Sequence, residues 1–555
     1  MKNYDVVVIG TGSAACSAAL RAAKGGLKVL AIEKTAKLGG TSAMSGSGVW
    51  IPANHIAAAE GVADSQEEAL AYLRAVQPAE WGDKEDVRHA AFVRNAPAML
   101  KFITENTLID FRLIDEPDPY VEAPGGKKYG RMMSPRPLSR RLLGKYAKHI
   151  RRSTLPHIFT YQENVSLDLY HTPFRAGFKM WPKLLWRWLN NAGAQGTALM
   201  TGLLKGCLDN GVEFRLETRA VGLVQDEAGR ITGVEVDSHG KRETVSARRG
   251  VIIASGGFEW DKEMREKYFS GPFDRIGTPS GNEGDGQKMA ATVGAQMDHM
   301  EQANVYACLP TRYEGKRYGL PINFLYEPHS IVVNRYGKRF VSEAHFNSGE
   351  AIDLRNDDGS PVHLPCYMIG DHRFLRTSFP FRWYASYEPD WIKKADTIEE
   401  LAAKLGLPAA ELRRTIERWN DFCAKGRDDD FHRGENYWEH KKDGGDKDGS
   451  IRLKPIDKAP YIGVSMNRSI IGTKGGPRTN EFGQVVRKDG SIIPGLYAAG
   501  LAMANPIGTR AVGAGTTLGP NLTWGFISAE TILKQTVERS GRVKISRVHH
   551  NILNL

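Results

Sequence analysis

The stretch YDVVVIGTGSAACSAALRAAKGGLKVLAIEK, residues 4–34, constrains the fold more than any other part of the chain. A short apolar run, Val6 to Ile9, leads into the turn Gly10-Thr11-Gly12. An alanine-rich helix over Ser13 to Lys24 follows, then a second apolar run, Leu27 to Ile32, that ends on Glu33. Strand, glycine turn, helix and strand within about thirty residues make a β-α-β unit of a parallel sheet. Gly10 permits the tight turn, Gly12 lets the backbone approach a pyrophosphate, and Ala15 keeps the helix close to the strand. The helix N-terminus adds N–H groups and partial positive charge for the phosphates. Glu33 stands where a carboxylate accepts hydrogen bonds from a ribose diol and repels a 2′-phosphate. A plain packing turn is the bland alternative, and it explains neither the terminal acid nor the glycine spacing.

The next segment separates flavin from nicotinamide dinucleotides. KLGGTSAMSGSGVWIP, Lys37 to Pro52, places Gly40, Thr41, Ser42, Gly46 and Gly48 directly after the acidic strand end. A flavin dinucleotide has to be held along its whole length, and a run of small residues lets a loop wrap it. FAD is therefore the expected cofactor.

At 555 residues the chain exceeds what one core supports, so several domains are expected. The net charge of +11 is spread along the chain, except in RMMSPRPLSRRLLGKYAKHIRR, Arg131 to Arg152. That segment reads either as a solvated face or as a patch for peripheral membrane contact. No nucleic-acid-binding motif accompanies it, so no nucleic-acid partner is expected. The five cysteines show no C-x-x-C pairing, which argues against a metal site and for a reducing compartment. No apolar run is long enough to span a bilayer, and the chain begins directly on a strand. A cytoplasmic protein is expected.

Further stretches complete a pattern. RGVIIASGGFEWD (residues 249–261) is an apolar strand running into Ala254, Ser255 and Gly256, and GNEGDGQKMAATVGAQM (281–297) is a glycine turn before a helix. PGLYAAG (494–500) delivers another strand to Gly500, and GTRAVGAGTTLGP (508–520) is a glycine loop with Arg510 at its edge. With the N-terminal unit, these resemble the superfamily of FAD flavoproteins that contains fumarate reductases and 3-ketosteroid dehydrogenases. The resemblance implies an α/β fold: a Rossmann-like FAD-binding domain of the GR2 type over 1–275 and 460–555, with an inserted α+β substrate or capping domain over 276–459. Between them, Thr397-x-x-Glu400 predicts a capping box before two helices split at Gly406 to Pro408, and residues 428–450 read as an exposed polar loop. The resemblance further implies cofactor contacts at Gly10, Gly12, Ser13, Ala14, Glu33, Lys34, Gly40, Thr41, Ser42, Gly46, Gly48, Val221, Ala254, Ser255, Gly256, Asp285, Gly500, Thr517 and Leu518, with FAD held non-covalently. The residue after AAG, usually polar in this superfamily, is here Leu501.

Members of this superfamily pass hydride between the flavin and a carbon next to an activating group. The activating oxygen needs a donor and the second hydrogen an acid or base. In SIIGTKGGPRTNEFGQVV (469–486), Ile471 and Gly472 stand where soluble fumarate reductases carry histidine, so the ketosteroid dehydrogenase branch is the closer one. GAGTTLGP places Gly515 where that branch uses a backbone N–H for the substrate carbonyl. Two departures follow. Ala511 replaces a carbonyl-binding tyrosine, and Asn347, which takes no proton at ordinary pH, replaces the base tyrosine. Arg510 either supplies a cationic donor or pairs with an acid on the cap or a flavin phosphate. Tyr120, in EPDPYVEAPGGKKYGR, either handles a proton or is a turn tyrosine, and His345 and Tyr326 are further candidates. The expected function is an FAD-dependent dehydrogenase that introduces a C=C bond next to the carbonyl of a cyclic ketone, with Tyr120, Asn347, Arg510 and Gly515 at its catalytic positions. The alternatives are an enoate or fumarate-type reductase and a flavin-binding protein with altered catalysis. No haem or iron–sulfur motif is present, so an external electron acceptor is expected.

Overall fold

The N-terminal strand Asn3–Ile9 is the centre of the principal sheet, pairing in parallel on both sides. Val6 to Ile9 lie opposite Val29 to Ile32 on one side and opposite Gly250 to Ile253 on the other. In the computed structural model, which describes residues 3–167, 169, 171–322, 325–443, 453–537 and 543–544, this sheet has eight strands. Its main path runs Gln484–Val486, Ile492–Ala498, Lys241–Ile253, Asn3–Ile9, Val29–Ile32, Glu213–Arg215. Ile231–Ser238 and Arg219–Gln225 branch from it as an antiparallel extension. A near-continuous apolar sequence in the three central strands is what burial on both faces requires. The helix Ser13–Lys24 covers the sheet and packs on Leu518–Lys534. These helices touch backbone to backbone: a Cβ on Gly525 would stand 2.2 Å from the Ala14 carbonyl oxygen.

The middle of the chain builds two further sheets. One joins Phe273–Ile276, Arg468–Thr473, Ala303–Tyr313 and Lys316–Ile322, and the other Ser330–Val333, Tyr367–Asp371, Tyr461–Ser465 and Ile392–Ala395. They share one apolar cluster, in which Leu309 and Leu320 of the first meet Met368 and Val464 of the second, and the second buries another on its far side, both apart from the core of the principal sheet. The fold class is thus the expected one, an FAD-type α/β sheet with α+β additions. The helices Ile398–Leu405 and Ala409–Lys425 are split at the expected point. The Thr397 hydroxyl accepts from the Glu400 N–H (3.2 Å), but the Glu400 carboxylate reaches back to Asp396 instead of Thr397. The expected exposed loop over 428–450 differs where it is described: Asp428 is buried against Arg339, and Tyr437–Asp443 is helical. Residues 444–450 lie outside the described residues. Among the described residues, no helix is long and apolar enough to cross a membrane.

A small three-stranded sheet, Val49–Trp50, Met132–Pro135 and Phe111–Leu113, supports the glycine loop at 508–520. The indole N–H of Trp50 donates to Asp118 (2.7 Å). Arg131 bridges Asp118 (2.9 Å) and Asp64 (2.7 Å), with all three side chains almost fully buried. Burial pushes the Asp118 carboxyl up to about 6 despite this cation. Removing one partner from a buried ionic cluster leaves charge uncompensated and costs about 3–5 kcal/mol. Arg131→Met should therefore lower the unfolding free energy of the holoprotein in urea by about that amount. An unchanged midpoint would show that the cluster carries no stability.

Candidate functional site

Three parallel strands end at one edge of the principal sheet, and the chain continues there by hydrogen bonding from strand to strand. Gly10 N–H donates to Ile32 O (2.8 Å), Ala254 N–H to Ile9 O (2.9 Å), and Ala499 N–H to Ile253 O (2.9 Å). At this edge Gly10 adopts φ of +116°, and a Cβ would stand 2.3 Å from the Ala254 carbonyl oxygen, so no side chain fits. A cleft opens here. Gly10, Gly12, Ser13, Ala14, Glu33, Lys34, Gly40, Thr41, Ser42, Ala254, Ser255, Gly256, Asp285 and Gly500 line it. From the Arg219–Gln225 strand the lining residue is Ala220, next to Val221. Gly46, Gly48, Thr517 and Leu518 are not among its lining residues; Gly48 meets the glycine loop, to which Thr517 and Leu518 belong, and Gly46 faces Tyr161. Sequence reasoning passed over Thr11 and Asn282, which lie inside glycine turns it had singled out, and missed Thr35, Arg151 and Asn521, which line the cleft with no local signal of doing so.

The Glu33 carboxylate is fixed on both oxygens. Thr11 donates to one (2.6 Å), and the Thr35 hydroxyl (2.9 Å) and N–H (3.0 Å) donate to the other. Ser42 Oγ accepts from the Ser13 N–H (3.1 Å), tying the second small-residue loop to the helix N-terminus. Lys34 pairs with Asp285 (2.8 Å) at the rim. Gln287 Nε2 donates to the carbonyls of Gly256 (3.1 Å), Gly475 (3.3 Å) and Leu501 (3.4 Å), aligning three loops. Two buried polar atoms that line the cleft, Ser255 Oγ and Asn521 Oδ1, have no partner among the described residues. A glycine-walled cleft with a fixed acid and unpaired buried polar atoms fits a dinucleotide that supplies the missing partners.

The second part of the site gathers the expected catalytic positions. Asn347 Nδ2 donates to the Tyr120 hydroxyl oxygen (2.7 Å) and to the Ala511 carbonyl (2.8 Å), while Asn347 Oδ1 accepts from the Ala511 N–H (3.0 Å). Tyr120 accepts from Asn347, so its own O–H proton is left for another partner. Burial raises the Tyr120 pKa, and the Asn347 hydrogen bond and the nearby Arg510 pull the other way. The His345 ring lies edge-on to Tyr120, 6.1 Å between centroids, and Tyr326 packs against a core cluster of the middle sheets. Arg510 is paired with Glu350 (2.9 Å), a residue of the short helix Ser348–Ile352 that follows Asn347. Gly515 has φ of +88°, and a Cβ there would meet the backbone of Gly48, Val49 and Trp50 at 2.6–2.7 Å. Gly48 and Gly515 thus make one close backbone approach, and Trp50 N–H donates to Gly515 O (3.3 Å). The Tyr72 hydroxyl holds the same loop through Val512 O (2.8 Å).

Lys474 is fully buried below this loop, its Nζ donating to the Gly508 carbonyl. No ion pair to Lys474 exists among the described residues, and burial takes its pKa down to about 7.

Cleft, fixed acid and oriented phenol fit a flavin-dependent oxidoreductase. The description "FAD binding domain" matches residues 5–518, and the chain belongs to that family. It is 35% identical, over 97% of its length and 100% of the relative, to a 3-oxosteroid 1-dehydrogenase of Mycobacterium tuberculosis. It is 34% identical, over 96% of its length and 93% of the relative, to a 4-oxocyclohexanecarboxylate 2-dehydrogenase of Sinomonas cyclohexanicum. Among solved structures, 3-ketosteroid Δ1-dehydrogenase from Sterolibacterium denitrificans in complex with 1,4-androstadiene-3,17-dione matches with a TM-score of 0.84 at 31% identity, covering 96% of this chain and 100% of that one.

Two expected outcomes follow from the geometry. A charge-assisted hydrogen bond contributes about 1.5–3 kcal/mol, so Glu33→Ala should weaken FAD retention on dilution roughly ten- to a hundredfold. Retention equal to the parent's would make Glu33 only a strand cap. For Lys474, the unfolded chain binds the extra proton between about pH 7 and the ordinary lysine value of about 10.4. Folding therefore becomes more favourable as pH rises through that window, and the burial penalty is full below it. Lys474→Met should gain stability relative to the parent at about pH 6.5 and lose that relative gain at about pH 10. Parallel stability curves across the window would contradict the assignment.

Proposed function

We propose that this protein is an FAD-dependent dehydrogenase that introduces a C=C bond next to the carbonyl of a cyclic ketone, either a steroid or a smaller ring. The supporting observation is the Asn347 amide, which holds Tyr120 and the glycine loop together and leaves the Tyr120 proton uncommitted. In this reading the unit of residues 1–275 and 460–555 holds FAD non-covalently through the cleft residues named above, and the unit of residues 276–459 contributes Asn347 and covers the substrate. FAD supplies a hydride acceptor. The Gly515 N–H donates to the ketone oxygen and takes up negative charge as it develops. Tyr120 receives the proton from the carbon next to the carbonyl, and the Asn347 Nδ2–H stabilises the phenolate that does so. Arg510 is assigned to holding Glu350, so it sets the loop's position and is not the anchor for a substrate carboxylate. That assignment disfavours the enoate-reductase alternative. An external electron acceptor and a cytoplasmic place of action belong to the same reading.

Anaerobic mixing with panels of cyclic ketones and of enoates tests it. Bleaching of the flavin absorbance by ketones is the expected result, whereas reoxidation of the reduced protein by enoates alone would sink the proposal. Because the Tyr120 pKa is raised, the phenolate fraction is small at neutral pH and rises tenfold per unit towards that pKa. The bleaching rate should climb with pH in the alkaline range. Tyr120→Phe should cut it by about 10²–10⁴ and abolish the climb with FAD content unchanged. A variant that keeps both rate and pH dependence would remove Tyr120 from the mechanism.

A further inference from the structure

The helix Pro173–Leu189, PFRAGFKMWPKLLWRWL, takes no part in the site, and it shows most of its apolar surface to solvent. Phe174 is 81% exposed, Phe178 83% and Trp188 75%. At about 100° per residue, Phe174, Phe178, Trp181, Leu185, Trp188 and Leu189 fall in one sector of about 100°. Ala176, Met180 and Arg187 hold the helix to the protein from the opposite side, Arg187 through Glu163 (2.7 Å). Single exposed apolar residues are ordinary, but a continuous stripe of aromatic ones marks a contact surface. The stripe extends past the helix, since the Phe174 ring meets Phe379 (6.2 Å), which stacks on the exposed Trp383.

We propose that this stripe docks flat on a lipid surface bearing anionic headgroups. Charge selects that occupant. The helix carries no Asp or Glu, and Arg175 and Lys179 are exposed along one flank of the stripe, at the level where headgroups would lie, with the exposed Lys183 further round on the face turned away from it. The basic segment at 131–152 adds a cation at the end of the helix. Its Arg131 and Arg151 are buried in ion pairs, but Arg141 is exposed and donates to the Leu189 carbonyl at the helix C-terminus (3.1 Å). Self-association through a two-fold axis would bring these cations against their own copies with no acid on the helix to offset them. A helix of seventeen residues interrupted by four cations does not span a bilayer, whereas an aromatic stripe beside a basic flank suits the interface plane. The neighbouring helix Tyr161–Leu167 connects this surface to the cofactor side of the protein. It pairs with Arg187 through Glu163, and its Tyr161 ring would lie 3.2 Å from a Cβ on Gly46.

Flotation of the FAD-loaded full chain with phosphatidylcholine vesicles, with and without phosphatidylglycerol, tests the proposal. The protein should float with the phosphatidylglycerol vesicles, with a blue shift of tryptophan fluorescence, and float less without the anionic lipid. Phe178→Ser with Trp181→Ser and Trp188→Ser should weaken vesicle binding at least tenfold while FAD content and turnover of a water-soluble cyclic ketone stay at the parent level. Arg175→Glu with Lys179→Glu should weaken binding to the anionic vesicles by a similar factor and leave the weak binding to phosphatidylcholine unchanged. A parent protein that remains in the soluble fraction with both vesicles would overturn the proposal. So would serine variants that float as well as the parent, or a lipid-free dimer that the serine substitutions dissociate, which would assign the stripe to a second copy of the chain.

Discussion

The site depends on three parallel strands from distant parts of the chain ending in register at one edge. Asn3–Ile9, Lys241–Ile253 and Ile492–Ala498 are bonded side by side, and the pairing carries on one residue past each strand through Gly10, Ala254 and Ala499. Parallel strands need long crossovers, and the loops that leave their C-terminal ends converge where ligands bind in open α/β sheets. Once those ends are aligned, a side chain at Gly10 has no room beside the Ala254 carbonyl, so the cleft is walled by backbone. The Glu33 carboxylate, fixed by Thr11 and Thr35, sits at the end of the next strand for the same reason.

The chemistry sits on a second arrangement that the sheet does not itself supply. The glycine loop is pressed against Gly48 to Trp50, and Trp50 is held by Asp118, Arg131 and Asp64 in a nearly dry cluster. A buried ionic cluster is an expensive way to gain stability, but it fixes the platform's orientation. Asn347, in the turn that leads into the short helix Ser348–Ile352, then joins the loop to Tyr120. An amide at this position takes no proton, but its two donors and one acceptor hold a phenol and a backbone at once. The asparagine therefore orients the Tyr120 phenol without itself exchanging a proton.

Much of the cofactor side, and one helix pair of the middle segment, was legible from residues alone. The N-terminal unit, the helix Ser13–Lys24, the strand running into Ala254 and the paired helices after Thr397 are local patterns, set by apolar periodicity and by glycine where no Cβ fits. Arg510 shows the opposite case. Its place beside the glycines left open a donor for substrate or a partner for an acid on the cap or a flavin phosphate, and the structure pairs it with Glu350, 160 residues away in sequence. The apolar stripe of Pro173–Leu189 reads in sequence like any buried amphipathic helix, because composition states which face is apolar and not what covers it.

The sequence by itself determined the cofactor class, the β-α-β nucleus and the glycine positions, since each rests on contacts within a few tens of residues or on the absence of a side chain. Tertiary structure alone decided which polar groups meet: Asn347 with Tyr120, 227 residues apart, Lys474 with Gly508, and Arg131 with two aspartates. A hydrogen bond or ion pair is short-ranged and directional, so its partner follows from how distant strands and helices pack, and no local residue pattern records that choice.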